Sequence, residues 1–354
     1  MSSPTLFGLK RSNRNFNQEK SWGKNKFNTA FPTALACFMD HINVKPVYFE
    51  LDHSYKVVQR KIGVDKIFGM KPKSPRLQFE FESSYRPYYR MVESNLPRND
   101  LVTVNTSTTT CLKTIEIKLT ALPDDVSSSL SEEQYGCEIV VRPDTIVYLA
   151  LSIASIYRNR RSELRTILKD VCSRIRDWEK VNEVKPHVND IKASVNNLLI
   201  KCINAQSPFM MQPIWKTIGS TLQLENNCFD IFVWSDFAFT RLFVDAKDTK
   251  NPDEIKRPIR SLIWLAKMLY DFARNNKINA SEIIDKCTYN TKNDKAFSVN
   301  GKITNRYMKC NELLRPRIEK NELKNIILGG GEKFLQPERR LDAAILAVAP
   351  EIFG

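Results

Sequence analysis

Residues 114–124 read TIEIKLTALPD, and Ile115, Ile117 and Leu119 alternate there with Glu116 and Lys118. A period of two is the mark of a strand, whose successive side chains point to opposite faces. The three aliphatic residues then enter a core, and a carboxylate and an ammonium leave the other face side by side. Sixteen residues before Glu116 stands Asp100, at the head of a second β-rich run in PRNDLVTV. A hairpin of 101–104 with 114–119 would set Asp100 beside Glu116. The pattern therefore asks for a sheet at the centre of the fold, with a charged cluster at the end of one hairpin.

The flanking segments complete an α/β (α+β) architecture: a mixed central sheet flanked by helices, with additional helical regions in the C-terminal half. PVYFEL at 46–51 is a short strand, and 57–68 has strand character interrupted at Gly63. Leu77, Phe79 and Phe81 alternate with Gln78, Glu80 and Glu82, a half-buried strand with both glutamates on its polar face. A short helix is expected at 29–41 and a strand at 138–141. Asp144 is read as the N-cap of a helix from 145 to about 157, apolar nearly all round and therefore buried. A basic amphipathic segment is read at about 160–180, and another helix at about 188–205. The clearest spans 258–275, with Pro258 in its first turn. The apolar tail at 341–349 is expected to dock as a helix.

Charge narrows the partner. The chain carries 54 Lys and Arg against 40 Asp and Glu, a net +14, which favours a polyanion. The excess is uneven: residues 1–100 hold 17 basic and 9 acidic side chains, whereas residues 101–150 hold 3 and 7. Residues 1–28 interleave Lys10, Arg11, Arg14, Lys20, Lys24 and Lys26 with asparagines and with Phe16, Trp22 and Phe27. Arginine and asparagine reach base edges and lysine finds phosphate, so this segment reads as a nucleic-acid-contacting arm. Arg14, Asn15, Lys24 and Lys26 are its candidate contacts; an ordinary disordered terminus is the plainer alternative. Tyr85, Tyr88 and Tyr89 with Arg86 and Arg90 suit either a nucleic-acid surface or an edge of the core. Eight cysteines without a CxxC pair and only three histidines argue against zinc and for free thiols in a reducing cytoplasm. The longest apolar run, 146–156, is too short to span a membrane.

Two carboxylates and a lysine converging on one hairpin can hold Mg²⁺ and turn a water against a phosphodiester. Asp100, Glu116 and Lys118 resemble the PD-(D/E)xK nuclease motif, with its Pro-Asp relaxed here to Pro97-Arg98-Asn99-Asp100. That departure leaves the first acid open to Glu93 or Glu82, and Glu80 or Glu82 could join as a third. The plainer alternative is a solvent-facing salt bridge between Glu116 and Lys118. A rival site lies in CFDIFVWSDFAFTRLFVDAKD, where Asp230 and Asp236 precede Asp245-x-Lys247; its plainer alternative is a buried β-hairpin with charged ends. The first site has the more regular alternation and the acidic window.

The segments SNRNFNQEKSWGKNKFNTAFPTALACFMD, EIKLTALPD and EIVVRPDTIVYLALSIA resemble the HindVP/HgiDI-like type II restriction endonucleases. The resemblance implies a restriction-endonuclease-like fold and Mg²⁺-dependent cleavage of double-stranded DNA at a near-palindromic site of the GRCGYC type. It implies 5′-phosphate ends and a partner DNA methyltransferase. It would make Asp100 and Glu116 the metal ligands, with the Ile117 carbonyl beside them, and Lys118 the residue that orients or deprotonates the water. A palindromic target implies a homodimer. The chain then divides into the arm (1–28), a nuclease core (29–160) and a region for DNA binding and dimerisation (161–354) continuous with that core. The alternatives are a non-catalytic DNA-binding protein, a repair nuclease or nickase using the same motif, and an RNA-binding protein.

Overall fold

The computed structural model describes residues 24–118, 139–217, 224–287, 297–299, 303, 307 and 318–319. The chain opens with α1 (Lys24–His41), then β1 (Val47–Leu51), β2 (Val57–Lys61), α2 (Val64–Phe68) and β3 (Leu77–Ser83). A short 3-10 helix (Arg86–Met91) leads to β4 (Asn99–Asn105), β5 (Thr110–Ile117) and β6 (Ile139–Val141). The helical stretch holds α3 (Pro143–Ile156), α4 (Arg161–Cys172), α5 (Val181–Val184) and α6 (Val188–Lys201). After it come β7 (Pro208–Thr217), β8 (Leu224–Ser235), α7 (Asp236–Val244), α8 (Arg257–Asn275), α9 (Ala280–Cys287), β9 (Phe297–Val299) and β10 (Ile318–Glu319).

The main sheet runs β2-β1-β8-β7-β5-β4-β3, with β10 paired to β8. It is mixed, as expected: β1 lies parallel to β8 and β5 parallel to β7, while its other pairings are antiparallel. β7 and β8, from the 161–354 region, sit between β1 and β5, so the sheet itself crosses residue 160. The buried helix read from sequence is α3, with residues 145–154 almost wholly enclosed. α8 puts Ile259, Leu262, Ile263, Leu265, Ala266, Met268, Leu269 and Phe272 into the same core. Each large aliphatic side chain enclosed there contributes about 1.5–3 kcal/mol. Among the described residues no helix is long and apolar enough to cross a membrane. Cys37, Cys111, Cys172 and Cys202 are free thiols.

Three local expectations are corrected. Residues 64–68 form α2 rather than continuing a strand: Val64, Ile67 and Phe68 are buried at helical spacing. Gly69 closes α2 at φ 77, where a Cβ would sit 2.9 Å from the Leu112 Cβ. Asp144 is not the cap of α3; Arg142 takes the N-cap position in extended backbone, Pro143 follows, and Asp144 lies in the first turn. The stretch after β8 does not fold back as a hairpin. Ser235 accepts the Ala238 N–H at 3.0 Å and starts α7, so Leu242, Phe243 and Val244 are helical. The docked tail at 341–349 lies outside the described residues.

Candidate active site

The expected hairpin is present. Leu101 pairs with Ile115 across β4 and β5, which sets Asp100 against Glu116. Phe81 pairs with Leu101 and Ser83 with Asn99 across β3 and β4, which sets Glu82 against Asp100. Glu82, Asp100 and Glu116 therefore form a row across three neighbouring strands. β5 ends at Ile117, and the Lys118 N–H still pairs with the Met211 carbonyl at 3.0 Å.

Lys118 Nζ lies 2.6 Å from Glu116 Oε2 and 3.5 Å from Asp100 Oδ2. The Ile117 N–H donates to the same Asp100 oxygen at 2.7 Å, and the Thr145 hydroxyl donates to Glu116 Oε2 at 3.1 Å. Asp100 Oδ1 and Glu116 Oε1 have no hydrogen-bond donor among the described residues. The salt bridge of the plainer alternative thus exists, but it does not face solvent. The first turn of α3 covers it, and Glu116 is 3% exposed. The alternation predicted the pair; it did not predict the helix over it.

Burial pushes the Glu116 carboxyl up to about 7, and Asp100 adds to the rise against the opposing charge of Lys118. For Lys118, burial acts downward, but Asp100, Glu116 and the hydrogen bond to Glu116 outweigh it and hold the amine above its ordinary value. Glu82 is also raised to about 7, by burial and then by Asp100, with Lys118, Arg142 and Arg98 opposing. Its backbone has φ 49, a left-handed conformation rare for a strand residue other than glycine. Glu80 is taken up elsewhere, accepting from the Ser83 hydroxyl at 3.2 Å and facing Arg86 at 4.0 Å. Glu93 is exposed in a segment whose backbone bonds to Ile278. Of the extra acids weighed from sequence, Glu82 is the one the fold brings to the cluster.

Among the described residues no three His, Cys, Asp or Glu side chains close on one point in a metal-holding group. The donor set still suits a hard divalent cation. Two carboxylates share one ammonium, each keeps an oxygen without a donor, and one of them is raised by burial. A cation would complete its shell with water and substrate oxygens.

The rival stretch is built differently. Asp236 is fully buried and accepts from the Ser152 hydroxyl at 2.6 Å, the Ser207 N–H at 3.1 Å and the Phe237 N–H at 2.9 Å. Asp245 pairs with Arg241 one turn back at 2.8 Å, and Lys247 is exposed on the loop after α7. Asp230 stands opposite Ile214 on β8; its side chain lies outside the described residues. A cavity of about 310 Å³, lined by Tyr88, Lys113, Ser152 and Asp236 among others, lies seven residues along α3 from Thr145 rather than at the carboxylate row.

Of the expected DNA contacts, Arg14 and Asn15 lie outside the described residues, while Lys24 and Lys26 occupy the first turn of α1. The tyrosine cluster divides. Tyr88 is buried against Tyr85 with ring centroids 4.8 Å apart, whereas Tyr89 is 52% exposed between the exposed Arg86 and Arg90. Sequence reasoning missed Thr145, and also Asn99, whose amide bonds the Thr114 hydroxyl at 2.6 Å beside the cluster. No spacing rule could have found Thr145, which meets Glu116 only through tertiary packing; Asn99 meets Thr114 across the β4–β5 hairpin itself.

A sequence model of the family described as HindVP restriction endonuclease matches residues 22–353. The chain is 43% identical over 353 residues to the type II restriction enzyme HgiDI of Herpetosiphon aurantiacus, covering 100% of this chain and 98% of that protein. It is 40% identical over 343 residues to a protein of Haemophilus influenzae described as probable type II restriction enzyme HindVP, covering 97% of this chain and 93% of that one. No solved structure matches.

Proposed function

Because the chain belongs to the HindVP restriction endonuclease family and is a type II site-specific endonuclease, we propose that Asp100, Glu116 and Lys118 form its catalytic centre. The observation that carries this reading is the convergence of two carboxylates from different strands on one ammonium, within 3.5 Å and 2.6 Å. Mg²⁺ is the cation proposed, held by Asp100 and Glu116. When bound, it would polarise the scissile phosphate and acidify a water.

The chain's own residues do the rest. The Ile117 N–H fixes Asp100 and the Thr145 hydroxyl fixes Glu116, so the two acids are set before substrate arrives. Lys118 is held in its charged form by both acids. Placed between both acids, it is positioned to orient or deprotonate the nucleophilic water and to meet the phosphate oxygens. In-line attack by that water leaves a 5′-phosphate and a 3′-hydroxyl. The proposed target is a near-palindromic site of the GRCGYC type in double-stranded DNA. It is read by a homodimer whose subunits each cut one strand, and protected in the host by a methyltransferase.

The test is digestion of a plasmid of known sequence with Mg²⁺, and with EDTA in its place. Discrete fragments that end at GRCGYC sequences and vanish with EDTA are expected. A smear would overturn the proposed target, and fragments that persist in EDTA would overturn the metal-dependent chemistry.

A further inference from the structure

The carboxylate row poses an electrostatic problem for a DNA-cutting enzyme. Glu82, Asp100 and Glu116 share one lysine, and the substrate brings a negative charge on every phosphate. Two guanidiniums stand beside the row and are absent from the motif that located it. Arg98 is two residues before Asp100, and its backbone neighbour Pro97 is pinned by the Tyr148 hydroxyl at 2.7 Å and the Ser84 hydroxyl at 3.3 Å. Arg142 immediately precedes α3, three residues before the Thr145 that holds Glu116, and the following Pro143 restricts it to extended backbone.

Both side chains are exposed, and neither forms an ion pair or side-chain hydrogen bond among the described residues. Both nevertheless lie within electrostatic reach of Glu82, and Arg142 also of Lys118. They are thus close to the acids without being neutralised by contact with them. Arginine keeps its charge at any working pH, and its planar fork matches two phosphate oxygens at once. The elements that carry these arginines also carry the catalytic side chains, so a phosphate gripped by them is placed relative to Asp100 and Glu116 by rigid backbone.

From this placement, and resting on the reading of Asp100, Glu116 and Lys118 as the catalytic centre, we propose that Arg98 and Arg142 are the phosphate-binding residues of the active site, holding the backbone of the strand to be cut. Their task is positional and independent of sequence; base reading belongs to other residues.

The experiment measures duplex binding by fluorescence anisotropy between about 50 and 200 mM salt, in full-length protein carrying Lys118→Ala to prevent cleavage. Arg98→Ala and Arg142→Ala should each flatten the slope of log K against log salt by about one, and weaken cognate and scrambled duplexes by the same factor. Arg98→Lys and Arg142→Lys should restore the slope, since they restore the charge. In the Lys118 parent, however, they should cleave more slowly in single turnover, since the two-pronged contact is lost. An unchanged slope in either alanine variant, or a flattened slope that the lysine variant does not restore, overturns the assignment. A parent enzyme that cuts at discrete sites while the slopes stay unchanged sinks only the phosphate contact. A parent that makes no Mg²⁺-dependent cut sinks the catalytic reading on which it rests.

Discussion

The cluster at the end of the β4–β5 hairpin and the acidic stretch from β8 to the loop after α7 satisfy the same loose spacing, and the fold treats them in opposite ways. In the first, acids from adjacent strands are pressed together around one shared ammonium, and two carboxylates rise to about 7. In the second, each acid whose side chain is described has its own partner. Asp236 holds the start of α7 with three donors, and Asp245 pairs with Arg241 along one helix face. Acids with individual partners build structure. Acids crowded around too little positive charge make a place that a cation can enter.

The sharpest way to break this contrast is to exchange the lysines. Lys118→Ala should lower cleavage by about 10²–10⁴-fold while DNA binding survives, and Lys247→Ala should leave cleavage intact. The reverse pattern would move the active site to the second stretch.

Asp236→Ala should instead act on stability. It strips the N-terminus of α7 and leaves the Ser152 hydroxyl and two backbone N–H groups unmatched in the core, a loss of about 2–4 kcal/mol. Urea denaturation would measure it; a variant as stable as the parent would mean that Asp236 is not structural.

A third test uses pH. A carboxyl whose folded value is raised favours folding while protonated. For Glu82 that advantage is complete below the unfolded value of 4.5 and is lost as pH rises through about 7. Glu82→Gln keeps the neutral form. It should therefore melt higher than the parent at pH 8–9 in EDTA, by roughly 1–2 kcal/mol given its partial exposure, and match it at pH 4. An equal difference at both pH values would show that charge crowding is not the cause.

The smallest effect belongs to Asp245→Ala. A one-turn helical pair of this kind contributes under about 1 kcal/mol, and a shift in the urea midpoint beyond that would give the second stretch more than a local role.

The two stretches also show why one was easier to read than the other. Around Glu116 the alternation is strict, and a strand is the only element that gives it a core face. Around Phe237–Val244 the sequence is apolar at nearly every position, a pattern that strand and buried helix share. Ser235 decided it by capping the helix. The same ambiguity turned 64–68 from strand to helix, with Gly63 breaking the extended run and Gly69 closing the turn. The basic arm was legible as composition, but Arg14 and Asn15 lie outside the described residues.

Local periodicity by itself determined the β4–β5 hairpin, the enclosed α3, the apolar stripe of α8 and the nearness of Asp100 to Glu116. All of these follow from side-chain direction along one element or across one turn. Tertiary structure alone decided that α3 would cover Glu116, that Glu82 would join the row from β3, and that Arg142 would flank it. Those residues come from segments far apart in the chain, and only the packing of sheet and helix brings them together. The charge state of each acid is likewise set by burial and by neighbours that the sequence does not place.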